Sequence, residues 1–230
     1  MSFNLPDAVK GYLSPEMIGK IASFLNESES NITSAMSGIV PAVISGFITK
    51  ANRSSRDAAD LLDIVRNEYG SDPEIRVGKF FIDSDNYFFK GQALVQVIFD
   101  DKLNGLIPAI SFYAGVKTIS AGALFSFAGP LAAASIGKHC TELGLGAPAL
   151  SSFLHGQKTN VLSALPAGLS GVARLLGISK LGEETGESVK NAAKYRQQTI
   201  DQQRQGPGWL LWLFLFLLLG LAAWYFIKKT

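Results

Sequence analysis

Residues 118–137 read TISAGALFSFAGPLAAASIG, a run of about 20 residues without a charge, long enough as a helix to cross the hydrocarbon of a bilayer. If this run lies in lipid, the chain is a two-span or multi-span protein that disturbs the bilayer. If it lies in protein, it is the centre of a water-facing helical fold. Gly, Ala and Ser bring little transfer energy, and they suit close helix packing in a protein interior. Pro130 interrupts the run, and Lys117 and Lys138 flank it. We therefore expect a core helix here, with the membrane reading as the alternative.

A different stretch has lipid character throughout. Trp209 to Ile227 runs WLLWLFLFLLLGLAAWYFI, uncharged and dominated by Leu and Phe. Roughly 19 such residues match one transmembrane helix, and only a helix satisfies its own backbone groups in hydrocarbon. Trp209 and Trp212 at one end, with Trp224 and Tyr225 at the other, suit the two headgroup levels. Leu215 and Leu218 lie in its centre, and Lys228 and Lys229 stop it. The expected anchor is thus residues 209–227, followed by a basic tail over 228–230. The N-terminus, Met1-Ser2-Phe3-Asn4-Leu5-Pro6-Asp7, has no basic and apolar leader pattern. The expected topology is single-pass, with the N-terminal part in the cytoplasm.

Ahead of the anchor, helix signals are frequent. Ser14-Pro15-Glu16 offers a capping hydroxyl, a proline for the first turn and an acid, before Met17, Ile18, Ile21, Phe24 and Leu25 on one face. Asp72-Pro73-Glu74 repeats that start before Ile75, Val77, Phe80 and Phe81. Ser54 or Ser55 caps a helix carrying Ala58, Leu61, Leu62 and Val65, ending near Gly70. After Gly91, the residues Leu94, Val95, Ile98 and Phe99 keep helical spacing, although Val95 to Phe99 also fits a short strand.

An internal repeat adds to this picture. Ile32-Thr33-Ser34-Ala35-Met36-Ser37-Gly38-Ile39-Val40-Pro41 parallels Ala121-Gly122-Ala123-Leu124-Phe125-Ser126-Phe127-Ala128-Gly129-Pro130. Leu106 to Ile110 and Ala164 to Gly168 share the proline-centred core. A proline inside an apolar helix removes a backbone bond and kinks or restarts it. The fold class expected is therefore all-α: a compact array of short, partly proline-kinked helices over residues 1–176. Residues 177–208 carry too little apolar surface to offset the entropy of ordering, and read as a polar linker ending at Gly206-Pro207-Gly208. About 30 residues of such tether let the helical part move several nanometres from the bilayer.

Reactive constellations are missing from the pattern. Charged residues are 17% of the chain, the net charge is +2, and the basic residues are scattered, so no nucleic-acid tail follows. Cys140 is the single cysteine, which excludes an intrachain disulfide and fits a reducing compartment. His139, His155 and Cys140 lack the spacing of a zinc site. Asp83-Ser84-Asp85-Asn86 hints at a calcium loop, but Tyr87 stands at the third ligand position, and a helix cap at Ser84 or Asp85 accounts for it better. No catalytic residue, cofactor or metal is expected. Met17 to Met36 has the rhythm of a helix-turn-helix, yet no Lys or Arg lies between Lys20 and Lys50. A DNA-reading helix needs such donors, so nucleic acid is not the expected partner.

Several motifs resemble the bacterial DUF937 family of helical proteins of unknown function. They are Phe3-Asn4-Leu5 with Ala8-Val9-Lys10-Gly11, Ala35 to Val43, Gly91-Gln92-Ala93-Leu94 with Ile98 to Leu103, Phe127 to Leu131, and Gly156-Gln157-Lys158 with Leu165 to Leu169. The resemblance covers residues 3–176. It implies no catalytic or ligand residue. Relatives of this type often carry an OmpA-like, peptidoglycan-binding domain beyond a transmembrane helix, which would couple a cytoplasmic domain to the cell wall. Here the residues stop at Thr230, so wall binding is not carried over, and the expectation is either a shorter, tail-anchored member of the bacterial inner membrane or a chain that has lost a periplasmic domain. The functional expectation is a non-enzymatic, membrane-anchored interaction or scaffold protein. Its partners would be the lipid bilayer and a protein or second copy docking on small-residue faces around Ala121 to Gly137.

Overall fold

Three serines cap helix starts, Ser14 and Ser54 where the sequence placed them and Ser28 in addition. Ser14 Oγ accepts from the Met17 N–H at 3.2 Å, Ser28 Oγ from Asn31 at 3.1 Å and Ser54 Oγ from Asp57 at 3.0 Å. The computed structural model describes residues 3–70, 72–74 and 83–177. The chain divides into two units, Met1–Ser179 and Lys180–Thr230, and all described residues belong to the first. Its helices are α1 (Leu5–Gly11), α2 (Pro15–Leu25), α3 (Glu29–Ala51), α4 (Ser55–Asp63), α5 (Ser84–Phe99), α6 (Leu103–Ala114), α7 (Thr118–Glu142), α8 (Ala147–Gly156), α9 (Lys158–Ala164) and α10 (Ser170–Leu175). A π-helical turn, Ile64–Glu68, continues α4, and 3-10 turns cover Asp100–Lys102 and Ala167–Leu169.

The described residues are all-helical and contain no strand. Val95 to Phe99 belong to α5. Gly91, Leu94, Val95, Ile98 and Phe99 are buried while Gln96 and Val97 are exposed, a spacing only a helix produces. The cap of α5 is Asp83, one residue before the expected position, with Asn86 Nδ2 donating to Asp83 Oδ2 at 2.9 Å. At Asp72-Pro73-Glu74 the Asp72 carboxylate accepts from the Glu74 N–H at 3.2 Å. The apolar positions expected after it, Ile75 to Phe81, lie outside the described residues.

The expectation of uniformly short, bent helices needs correction. The two copies of the repeat are the longest helices, α3 with 23 residues and α7 with 25, each continuous through its proline. They pack on each other at the centre, where Ile39 to Ile48 and Leu124 to Gly137 are buried on every side. Enclosure from all directions holds each helix together across the missing Pro41 and Pro130 hydrogen bonds. Pro166 alone among the four repeated prolines breaks a helix, since Leu165 before it is extended.

Small residues let the neighbours of α7 approach it closely. A Cβ on Gly91 of α5 would lie 2.8 Å from the Ser126 carbonyl carbon, so the glycine hydrogen faces the very carbonyl that Pro130, four residues on, leaves without a donor. A Cβ on Gly137 would lie 3.0 Å from the Val65 carbonyl carbon in the π turn. That turn aims Arg66 at the end of α7, where its guanidinium donates to the Leu145 carbonyl at 2.6 Å and the Cys140 carbonyl at 3.3 Å. Buried Ser45 and Ser135 satisfy their hydroxyls on the carbonyls of Pro41 and Leu131.

Both central helices are long and apolar enough to cross a membrane, yet 78% of the α3 window and 83% of the α7 window are buried within the fold. Sequence reading singled out α7 and passed over α3, whose first two turns carry Asn31, Thr33, Ser34 and Ser37. The covering surface is charged, with exposed pairs Lys20–Glu16 and Arg56–Asp60. The expected linker, transmembrane helix and basic tail (177–208, 209–227 and 228–230) lie outside the described residues beyond Gly177.

Candidate functional site

The expected anchoring residues Trp209, Trp212, Leu215, Leu218, Trp224, Tyr225, Lys228 and Lys229 lie outside the described residues. The small-residue face proposed for docking is described, and there the expectation needs correction. From Ala121 to Gly137 only Gly122 and Ala123 are even half-exposed. Gly129 meets Val95, and Ser126 and Gly137 meet α5 and the π turn, so this face is occupied by the fold's own helices. The Met17 to Met36 unit does form two helices joined at Asn26, whose φ of 52° makes the turn. Its second helix, α3, exposes only the uncharged or acidic residues of its first turns, Glu29, Ser30 and Thr33, and is buried on every side from Ile39 to Ile48.

The acids of that turn have a structural task instead. Glu27 Oε1 accepts from the Lys117 N–H at 2.9 Å and the Ser120 hydroxyl at 2.8 Å, with the Lys117 ammonium 3.8 Å away. It therefore caps α7, whose own N-cap side chain contributes no bond. Burial alone would raise the Glu27 carboxyl, but the N–H, the hydroxyl and the Lys117 charge together hold it below the ordinary carboxylate value. Lys117 Nζ also donates to the Asn26 carbonyl at 2.9 Å. The α2–α3 turn is thereby fixed to the start of α7.

A second tie joins the chain's first helix to its later ones. Buried Gln157 accepts from the Leu5 N–H at 2.9 Å and donates to the Phe3 carbonyl at 3.1 Å. Beside it the His139 ring stacks on Phe3 with centroids 4.2 Å apart and lies 4.5 Å from Phe153. Burial holds the His139 pKa below its ordinary value, with Glu142 pulling the other way. Burial also pushes the neighbouring Cys140 thiol up to about 11, against the pull of Arg66, so it is a poor nucleophile. Among the described residues no group of three His, Cys, Asp or Glu could hold a metal ion. Ser84, Asp85 and Asn86 form the first turn of α5, a helix where a calcium site would need a loop.

The remaining feature is apolar. Helices α5, α6 and α7 leave a groove of about 520 Å³ between them, lined by Phe88, Val95, Leu103, Ile107, Ile119 and Ala123 with Gln92, Thr118 and Ser126. No charged residue lines it. Phe24 of α2 stacks on Phe88 at its edge, with centroids 5.7 Å apart. Where α6 ends and α7 begins, Ser111 Oγ and Thr118 Oγ1 lie 3.4 Å apart, and Ser111 Oγ donates to the Val116 carbonyl at 2.7 Å. The next residue after each hydroxyl is Phe112 and Ile119, 92% and 81% exposed, the two most exposed large apolar side chains among the described residues. Sequence reasoning missed this corner because Phe112 and Ile119 sit at opposite ends of a turn whose closure depends on the Glu27 cap.

Comparison with known proteins gives one finding. A family model described as a bacterial protein of unknown function (DUF937) matches residues 7–139, more than half of the chain. The matched stretch runs from α1 to the last turn of α7, and the further motifs at 156–158 and 165–169 lie beyond it. No curated protein and no solved structure matches the chain.

Proposed function

The chain belongs to the DUF937 family of bacterial proteins, and from that premise we propose a non-enzymatic, membrane-anchored interaction module of the cell envelope. In this reading residues 1–176 form a helical head, residues 177–208 a polar tether, and residues 209–227 a single membrane helix. The observation that carries this reading is the contrast between two kinds of apolar run. The length and apolarity of α3 and α7 are taken up in the core of the head, beneath a charged surface. Trp209 to Ile227 has no charge, no polar face and aromatic residues at both ends, which suits lipid. The head faces the cytoplasm, where a lone reduced thiol such as Cys140 is ordinary.

Variants with one added cysteine test this layout, because buried Cys140 stays silent towards a membrane-impermeant maleimide. Asp60, whose side chain is 62% exposed, is replaced in Asp60→Cys and the far end in Thr230→Cys. The head cysteine should react only in inverted inner-membrane vesicles and the tail cysteine only in right-side-out ones, with the protein retained through an alkaline carbonate wash. Release by carbonate, or labelling of Asp60→Cys from outside, refutes the reading.

A further inference from the structure

We infer that the corner between α6 and α7 is a lipid-contacting surface, which seats the head on the bilayer interface with Phe112 and Ile119 entering among the headgroups. The inference extends the membrane-anchored reading and rests on it, but its observations come from the head alone.

Apolar side chains scattered singly over a surface need no explanation, whereas two extreme ones on a single closed turn do. Phe112 and Ile119 are 92% and 81% exposed, and Gly115, at φ 68°, folds the turn that brings Ser111 and Thr118, the residues before them, within 3.4 Å of each other. A fully exposed Phe offers about 150–250 Å² of burial, the kind of wedge with which interfacial proteins enter the boundary of headgroups and acyl chains. Pro108, one turn before Phe112 on α6, is exposed and uncharged, and behind Ile119 the groove continues inward without a charged residue.

Charge decides between lipid and other partners. From Leu103 to Thr141 the chain contains no Asp or Glu, so α6 and nearly all of α7 bring no carboxylate against anionic headgroups. The acid bonded to the corner itself, Glu27, is 8% exposed and bound by Lys117 and Ser120, and the exposed acid on the neighbouring helix is Glu29, two residues before the Asn31 that donates to the Gly115 carbonyl. Lys117 itself is 55% exposed between the two apolar residues, and a cation beside a hydrophobic tip suits the headgroup level. A single corner of this size falls far short of the roughly 800 Å² per partner of a stable protein interface, but a head already tethered to the membrane needs only weak additional contact.

The test uses the full chain reconstituted into vesicles of phosphatidylcholine and phosphatidylglycerol that carry a shallow spin-labelled lipid. An environment-sensitive fluorophore is attached in Phe112→Cys, Ile119→Cys or, as the control, Asp60→Cys. At the two corner positions the spin label should quench emission by about twofold, the depth expected for insertion at the acyl boundary, and at position 60 it should not. A probe in Thr118→Cys should be quenched in the native background and released by Phe112→Ser. Water-like, unquenched emission at both corner sites overturns the inference. So does blue-shifted emission without quenching when, in a parallel unlabelled sample, the free Phe112→Cys thiols of two copies are joined by a bifunctional maleimide, which assigns the corner to self-association. Carbonate extraction of the same vesicles separates the two readings: a protein that washes off fails the anchor, while one that stays without quenching fails only the corner.

Discussion

Replacing Gly91 by alanine adds one methyl group where α5 meets the backbone of α7. The new Cβ would lie 2.8 Å from the Ser126 carbonyl carbon and nearer still to its oxygen. Carbon atoms in comfortable contact sit about 3.5–4.0 Å apart, so the helices must separate by about 1 Å. Nothing flexible can yield, because the obstacle is main chain inside a fully buried helix. A gap of that width forfeits about a quarter to a half of each van der Waals contact across it. The contacts at risk include Val95 on Gly129, Phe99 edge-on to Phe125 at 5.8 Å, and Tyr87 beside Phe127 at 6.2 Å. We set the strain at the upper end for overpacking, about 3 kcal/mol, with about 0.5 kcal/mol more for the lost Cα–H contact. The better helix propensity of alanine returns about 1 kcal/mol, leaving a net loss of about 2.5 kcal/mol. For a head of this size the melting temperature should fall by about 5–10 °C. Gly156→Ala is the matched control, since its Cβ meets nothing within 4 Å on exposed helix, and it should be neutral or stabilising by up to about 1 kcal/mol. Thermal unfolding of both variants in detergent, followed by circular dichroism, makes the comparison. If Gly91→Ala melts with the native protein, α5 and α7 do not approach as described and the argument fails.

Glu27→Ala should lower stability by about 2 kcal/mol in urea titrations, the range for removing a charged acceptor from buried donors, and Glu27→Gln by roughly half that. Because the Glu27 carboxyl is held below its ordinary value of 4.5, its contribution is complete at neutral pH and disappears as the pH falls below 4.5 through the folded value. Glu27→Gln should therefore show a shallower acid limb. His139 adds a limb at higher pH. Its folded pKa lies below 6.5, so the unfolded chain takes the proton more readily, and stability falls as the pH drops through 6.5 until the folded pKa is passed. His139→Phe should abolish that step while keeping the ring between Phe3 and Phe153; a step that persists places its origin elsewhere.

The sequence made the helix starts legible and left their partners hidden. Ser14 and Ser54 cap helices through bonds to residues three positions on, a distance over which local spacing is informative. The start of α7 could not be read that way, because its cap comes from Glu27, 90 residues upstream. In the sequence Glu27 has no local partner to mark it; in the fold it holds a turn against a helix. Gln157 is similar: it stands in a recognisable Gly156-Gln157-Lys158 motif, but its bond to Leu5 spans 152 positions. The same limit explains why the small-residue run was read as a docking face. Small side chains announce that something approaches closely, and only the three-dimensional arrangement shows that the approaching groups are Gly91, Val95 and Val65 of the same chain.

The two central helices also show why length and apolarity cannot by themselves identify a membrane span. A helix surrounded by helices and a helix surrounded by lipid face the same requirement, an apolar side chain in every direction. What differs is the next layer outward. Around α3 and α7 that layer carries Glu16, Lys20, Arg56 and Asp60 into the open, and exposed charge of that density has no place in hydrocarbon. Packing quality separates the environments further. Lipid tails conform to any surface, so a lipid-facing helix needs no glycine placed to the ångström, whereas Gly91, Gly129 and Gly137 each meet one particular neighbour. By that criterion the Leu-dominated run from Trp209 to Ile227, with Gly220 as its one glycine, has the composition of a segment matched to a fluid rather than to a fixed partner.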